Sequence, residues 1–266
     1  GDWRHGASVA DLERRLSADD RRTIKAVVVV HNETTTGVTS RVADLRRAMN
    51  RLAHPALLMV DTVSSLGSME YHHDEWEVDV TACRSQKGLM VPPGLSFNAI
   101  SEKALTAGPQ PRLPRQYWDW TEMIKQHRNG YFAYTPATNL LFGLREALAM
   151  LQEEGLPQVF ARHARHPEGT RPAVRAWNLE IVCVDPREYS SSLTAVFTPE
   201  GHSADRVRPT ILDRFDMSLG TGLGQLADRA GRRGALALGG LVTAAGNLLC
   251  AWAPTYAAFI TARFIA

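Results

Sequence analysis

Hydrophobic residues in this chain fall into short β-branched runs and into stripes at helical spacing. Lys25-Ala-Val-Val-Val-Val30 is an unbroken apolar run between polar neighbours, which predicts a strand buried on both faces. Val42, Leu45, Met49 and Leu52 recur at helical spacing with arginines between them, so an amphipathic helix follows. Ala56-Leu-Leu-Met-Val60 predicts a second buried strand ending at Asp61, and residues 78–83 and 95–100 predict a third and a fourth. Residues 12–18 read as a short helix.

Strand, helix and strand joined by short connections specify an α/β fold with a mostly parallel sheet covered by helices. Ligands in such sheets sit at the carboxyl ends of the strands, where this spacing places Asp61 and the residues after His31. Proline and charge thicken over residues 108–128, which read as a connecting loop. Residues 139–153 predict a strong helix with Leu140, Leu144, Ala147, Leu148 and Leu151 on one face. From Arg171 the pattern changes: residues 179–184 and 193–197 read as strands and 204–215 as a helix, a smaller α+β unit. The predicted organisation is a large domain over 1–155, a small one over 156–223 and an apolar helical tail over 224–266.

Composition narrows the function classes. The 266 residues carry a formal net charge of +2 and no basic run interleaved with aromatics, which argues against nucleic-acid binding. The three cysteines, Cys83, Cys183 and Cys250, are far apart, a pattern suited to a reducing compartment rather than a disulfide scaffold. Residues 1–20 are polar and charged, unlike a secretory signal. No charged residue falls between Arg233 and Arg263, and the apolar run 235–260 exceeds the roughly 20 residues that span a bilayer. A buried core helix is the alternative for that run.

Two segments carry candidate chemistry. In Ser85-Gln86-Lys87-Gly88 a lysine on a turn after a strand, among small and polar neighbours, is able to form an imine with an aldehyde cofactor. Most lysines are simply solvated surface charges. Asp61 closes a buried strand in Val60-Asp-Thr-Val-Ser-Ser-Leu-Gly67, and a carboxylate there needs a partner. A turn or capping aspartate is the plain alternative, and a protonated pyridine nitrogen is the functional one. Tyr71-His-His-Asp-Glu75 is set aside as a metal site because adjacent residues rarely converge on one ion, and the glycine-rich 220–224 turn lacks a βαβ context.

Taken together these segments resemble the fold-type I, class V aminotransferases, in particular the serine–glyoxylate type. The resemblance is carried in order by His31-Asn-Glu-Thr-Thr-Thr-Gly-Val38, Val60-Asp-Thr-Val-Ser-Ser-Leu-Gly67, Ser85-Gln-Lys-Gly88 and Tyr131-Phe-Ala-Tyr-Thr-Pro-Ala-Thr-Asn139. Gly143-Leu-Arg-Glu-Ala-Leu148, Tyr189-Ser-Ser-Ser-Leu-Thr194 and Phe215-Asp-Met-Ser-Leu-Gly220 continue it to about Leu223. It implies pyridoxal 5′-phosphate as cofactor, a homodimer, and transfer of an amino group between an amino acid and a 2-oxo acid. The pair implied is serine (or alanine) with glyoxylate, in the cytoplasm, with Lys87 as the Schiff-base lysine and proton carrier. Asp61 would pair the ring nitrogen, Val63 would pack under the ring, and Thr34 would reach the phenolic oxygen. Gln86 matches a phosphate ligand, and Thr135 one given across the dimer.

The chain departs from the family pattern in three places. Nothing in it matches the family's amino-terminal third, which supplies a phosphate turn and a stacking aromatic. Arg84 stands where relatives carry a small residue, and a long cation there would crowd the site. After Leu223 the family's carboxylate-binding arginine string gives way to Gly224-Gln-Leu-Ala-Asp-Arg-Ala-Gly-Arg-Arg233, which resembles a loop of the major facilitator transporters. Arg232 falls at the register of that substrate-binding arginine, and residues 235–260 are expected to touch a membrane. The alternative function is an inactive aminotransferase fragment fused to a transporter fragment.

Overall fold

The computed structural model describes residues 2–107, 117 and 119–220. Helix α1 (Val9–Ser17) starts where the Ser8 side chain accepts the Asp11 N–H, a capping arrangement that satisfies one of the free donors of the first turn. Strand β1 (Ala26–Val30) follows, then the short antiparallel pair β2 (Asn32–Glu33) and β3 (Val38–Thr39), then α2 (Val42–Arg51). Strands β4 (Leu57–Asp61), β5 (Val80–Arg84) and β6 (Ser96–Ile100) complete a four-stranded sheet in the order β1-β4-β5-β6. The β1–β4 and β4–β5 pairs are parallel, in the α/β, mostly parallel architecture the pattern predicts; β5–β6 is antiparallel.

The main core lies on one face of this sheet. Leu16 of α1 and Val42, Leu45 and Met49 of α2 pack on Val29 of β1 and Leu58 and Val60 of β4. Leu45, Met49 and Leu58 are fully buried, each stabilising the fold by about 2 kcal/mol relative to exposure. The opposite face of β1 is not covered: Val28 is 73% exposed and Val30 38%. The expectation of burial on both faces is therefore corrected, because no described element packs on that side of β1.

Asp79 ties the far end of the sheet together. Its carboxylate accepts from Leu58 N (2.8 Å), Arg46 Nη2 (2.6 Å) and Ser101 Oγ (3.0 Å), with Lys103 Nζ at 3.5 Å. Helix α3 (Glu102–Ala107) thereby docks against β4 and β5, with Lys103 also donating to Ala56 O.

Part of the expected connecting loop is a helix, α4 (Trp120–Arg128), started by the Asp119 side chain. Helix α5 (Thr138–Glu154) matches the predicted amphipathic stretch. At Gly155 the chain turns into α6 (Leu156–Ala176), which continues through Pro167 and Pro172. The expected strands at 179–184 and 193–197 reduce to a bridge between Ile181 and Val196, flanked by Val182 N–Ala195 O and Phe197 N–Glu180 O bonds.

The chain divides into two compact units, Gly1–Gly201 and His202–Ala266. In the second, α7 (Ala204–Phe215) is capped by Ser203 and ends at Asp216 in a left-handed conformation. The apolar tail over 224–266, the span 235–260 and Arg232 lie outside the described residues. Among the described residues no helix is long and apolar enough to cross a membrane.

Candidate active site

Because β1, β4 and β5 are parallel, their carboxyl ends line one edge of the sheet. Val30, Asp61 and Ala82 stand side by side in register there. Side chains alternate along a strand, so Asp61 projects from the same face as Val28 and Val30, the uncovered one. Asp61 is half-buried. Its Oδ1 accepts the Val63 N–H at 2.8 Å, whereas Oδ2 has no hydrogen bond or ion pair among the described residues.

The turn after Asp61 is locked to the neighbouring strands. Thr62, fully buried, donates both its N–H (2.9 Å) and its hydroxyl (3.1 Å) to Ala82 O, and His31 N donates to Asp61 O (2.9 Å). Leu66 N and Ser65 N then fold back onto Thr62 O, turning the chain sharply.

Lys87 rides on a loop clasped by Ser85. The buried Ser85 hydroxyl donates to Pro92 O (2.8 Å) and accepts from Leu95 N (3.3 Å), while Ser85 O accepts from Val91 N. Met90 N closes a tight turn onto Lys87 O at 2.9 Å, with Met90 itself at φ 57°. The Lys87 amine is exposed and has no hydrogen bond or ion pair among the described residues. The two turns touch through their glycines: a Cβ on Gly88 would lie 2.2 Å from Leu66 O, and one on Gly67 would lie 3.0 Å from the Gly88 carbonyl. Only glycines permit this approach of one backbone to the other.

Among the residues singled out from sequence, Asp61, Val63, Gln86 and Lys87 thus come from adjacent strand ends and turns in contact. Val63 and Gln86 are half-buried. Thr34 is exposed on the turn between β2 and β3, in the hairpin that continues from β1. Thr135 is exposed in a separate open hollow of about 880 Å³ lined by Tyr117 and residues 130–136. That segment leads into α5, whose Leu140 and Gly143 lie against Gly94 and Val91 of the Lys87 loop. Arg84 is exposed and without a salt bridge among the described residues.

Sequence reasoning missed the polar layer behind Asp61. His31, buried, bonds Ser65 Oγ through Nδ1 (2.9 Å) and sits 5.3 Å from the Tyr71 ring and 6.0 Å from the Trp76 ring. Burial pushes the His31 imidazole down to about 4, so it is neutral at physiological pH. Burial likewise raises the Tyr71 phenol to about 12, and its hydroxyl shares Thr81 Oγ1 with His73 Nδ1 (2.6 and 2.7 Å). His72 pairs with Glu70 and Glu75 at the surface. The signals available for it were the position of His31 at the end of a predicted strand and its place at the head of the His31–Val38 string.

The chain belongs to the class-V aminotransferase family: the family model matches residues 9–223. It is 48% identical over 238 residues to the serine–glyoxylate aminotransferase of Methylorubrum extorquens, covering 88% of this chain and 59% of that protein. It is 44% identical to the L-aspartate–glyoxylate aminotransferase of Paracoccus denitrificans, covering 91% of this chain and 63% of that protein. The fold matches the crystal structure of pyridoxamine–pyruvate aminotransferase from Mesorhizobium loti with a TM-score of 0.77 at 28% identity, covering 84% of this chain and 57% of that one. The chain therefore spans about three fifths of the length of the curated relatives it matches.

Membership in this family implies pyridoxal 5′-phosphate. The residues present fit it in chemistry: an amine for the aldehyde and a carboxylate oxygen for the ring nitrogen, both without partners among the described residues, on turns held together at Gly67 and Gly88.

Proposed function

We propose that this chain carries the cofactor-binding core of a pyridoxal-phosphate aminotransferase that moves an amino group from serine, or alanine, to glyoxylate. The observation that carries this reading is a Lys87 amine and an Asp61 Oδ2, each without a partner among the described residues, on two turns in backbone contact. Names and identities of the relatives support the donor and acceptor classes.

Bound pyridoxal phosphate supplies an aldehyde that takes up amines and a ring that accepts electrons from the substrate's α-carbon. Lys87 Nζ would hold the cofactor's aldehyde and would carry the substrate's α-carbon proton. Asp61 keeps the ring nitrogen protonated. Val63 would pack under the ring, Thr34 would serve the phenolic oxygen, and Gln86 would bind phosphate. Thr135 serves the phosphate of a partner subunit in a homodimer, and Arg232 the substrate carboxylate. The division into 1–155, 156–223 and 224–266, a cytoplasmic location and membrane contact through 235–260 belong to the same reading and rest on sequence alone.

The test is direct. Incubation with pyridoxal phosphate gives a visible absorbance band; borohydride reduction followed by peptide mass mapping places the adduct on Lys87, and Lys87→Ala has neither. A chain that folds but shows no band and no adduct overturns the proposal. A second reading, an inactive fragment joined to a transporter fragment, is favoured by the uncovered β1 face; it predicts the adduct without turnover of serine, alanine or aspartate with glyoxylate.

A further inference from the structure

Asn32 is 1% exposed and sits at the carboxyl edge of the sheet, one residue beyond the His31 N–H that caps Asp61 O. Its side-chain Nδ2 reaches three acceptors: Ser64 O (3.3 Å), Ser64 Oγ (3.2 Å) and Ser192 Oγ (3.1 Å). Ser64 Oγ donates back to Asn32 O at 2.6 Å, and Thr39 Oγ1 donates to Asn32 Oδ1 at 3.4 Å. An amide has two N–H donors, so a single side chain joins the turn after Asp61 to the segment around Ser192.

That second segment is itself anchored. Ser190, fully buried, donates its N–H to Gly37 O (3.0 Å), and its carbonyl accepts from Arg171, whose guanidinium lies over the Tyr189 ring. Ser190 Oγ accepts from Ser192 N (3.1 Å) and Leu193 N (3.3 Å), a local turn that presents Ser192 Oγ to Asn32. The β2–β3 hairpin, the turn after Asp61 and the 190–193 turn therefore converge on one amide, and α6 holds the 190–193 turn through Arg171.

The consequence runs through the backbone. Ser64 follows Val63, whose N–H holds Asp61 Oδ1. Fixing Ser64 fixes the Val63 peptide, and the Val63 peptide sets which way Asp61 Oδ2 faces. We propose that Asn32, backed by Ser192, is a positioning residue that aims the Asp61 carboxylate at the ring nitrogen of the cofactor. This rests on the reading of Asp61 given above. A purely structural Asn32 would lower stability without altering the electronics of the bound cofactor.

The experiment follows the pH dependence of the visible band in wild type, Asn32→Ala, Ser192→Ala and Ser101→Ala, each loaded with pyridoxal phosphate. A misaimed Asp61 leaves the ring nitrogen deprotonated, so the ring withdraws fewer electrons and the band's midpoint rises. We expect an upward shift of about one pH unit in Asn32→Ala, with borohydride still trapping Lys87, and a smaller shift of the same sign in Ser192→Ala. Ser101→Ala loses a bond to Asp79 at the other end of the sheet; it is less stable and keeps the wild-type midpoint. Unchanged midpoints in folded, trapped Asn32→Ala and Ser192→Ala overturn the inference. If Asn32→Ala does not fold, Ser192→Ala decides alone, because Ser192 is an exposed residue outside the hydrophobic core. Absence of trapping in wild type defeats the cofactor reading instead, a separate result.

Discussion

Gly88 presses its Cα against the carbonyl of Leu66 so closely that a methyl group there would come within 2.2 Å of the oxygen. The obstacle is backbone, which a rotamer change does not relieve. The Lys87 turn and the turn after Asp61 are in this way registered against each other without a hydrogen bond, and the spacing of amine and carboxylate inherits that contact.

Gly88→Ala is accordingly expected to destabilise the chain by on the order of 2 kcal/mol and to abolish trapping of pyridoxal phosphate on Lys87. Gly67→Ala meets two costs, a φ of 79° and a contact at 3.0 Å with the Gly88 carbonyl, and should cost about 1–2 kcal/mol. Urea unfolding and mass mapping check both. Full trapping in Gly88→Ala would show that the two turns are positioned independently.

The strands that carry this arrangement were largely legible in sequence. Short apolar runs marked β1 and β4, and helical spacing marked α2 and α5. Three features escaped. Helix α6 was not predicted, because proline is disfavoured inside helices, whereas Val159, Arg171 and Val174 are buried along its length and hold the helix through both prolines. The uncovered face of Val28 was hidden because a run of valines reads the same whether one face or two are packed. The Asn32–Ser64–Ser192 cluster joins residues up to 160 positions apart through side-chain bonds, which leave no periodicity to detect.

Asp79 should be the most sensitive position far from the site. Burial pushes its carboxyl up, and the Leu58 N–H, Arg46 and Lys103 together more than offset this, leaving it below its ordinary value. Arg46→Met removes the cation and leaves a buried carboxylate, at an expected cost of about 3 kcal/mol by urea unfolding. The double variant Arg46→Met/Asp79→Asn should recover part of that loss. A larger loss in the double variant than in Arg46→Met would mean that the pair is not the dominant link.

Asp61→Asn tests the carboxylate without touching its fold. The Asn side-chain oxygen can still accept the Val63 N–H, so stability should change by less than about 1 kcal/mol. The neutral amide no longer holds a proton on the ring nitrogen. Borohydride trapping on Lys87 should persist while amino transfer falls by at least about a hundredfold, a loss in the range carried by a single catalytic group. Equal turnover in Asp61→Asn would remove Asp61 from the chemistry.

His31 gives the fold an acid sensitivity of defined sign. Its imidazole is held down at about 4 in the folded chain against an ordinary value of 6.5, because the buried ring at Ser65, Tyr71 and Trp76 resists charging. Between those values the unfolded chain binds a proton that the folded chain does not, so stability falls as pH drops from 6.5 toward 4. The difference amounts to on the order of 2 kcal/mol by about pH 5. His31→Gln keeps a polar partner for Ser65 and removes the titration. Urea unfolding from pH 7 to 5 should show the wild type losing that amount relative to His31→Gln, since Asp19, Asp79 and Asp185, all held below their ordinary values, respond only at lower pH and do so equally in both chains. Parallel stability curves for the two proteins would mean that the buried ring already carries its proton in the fold.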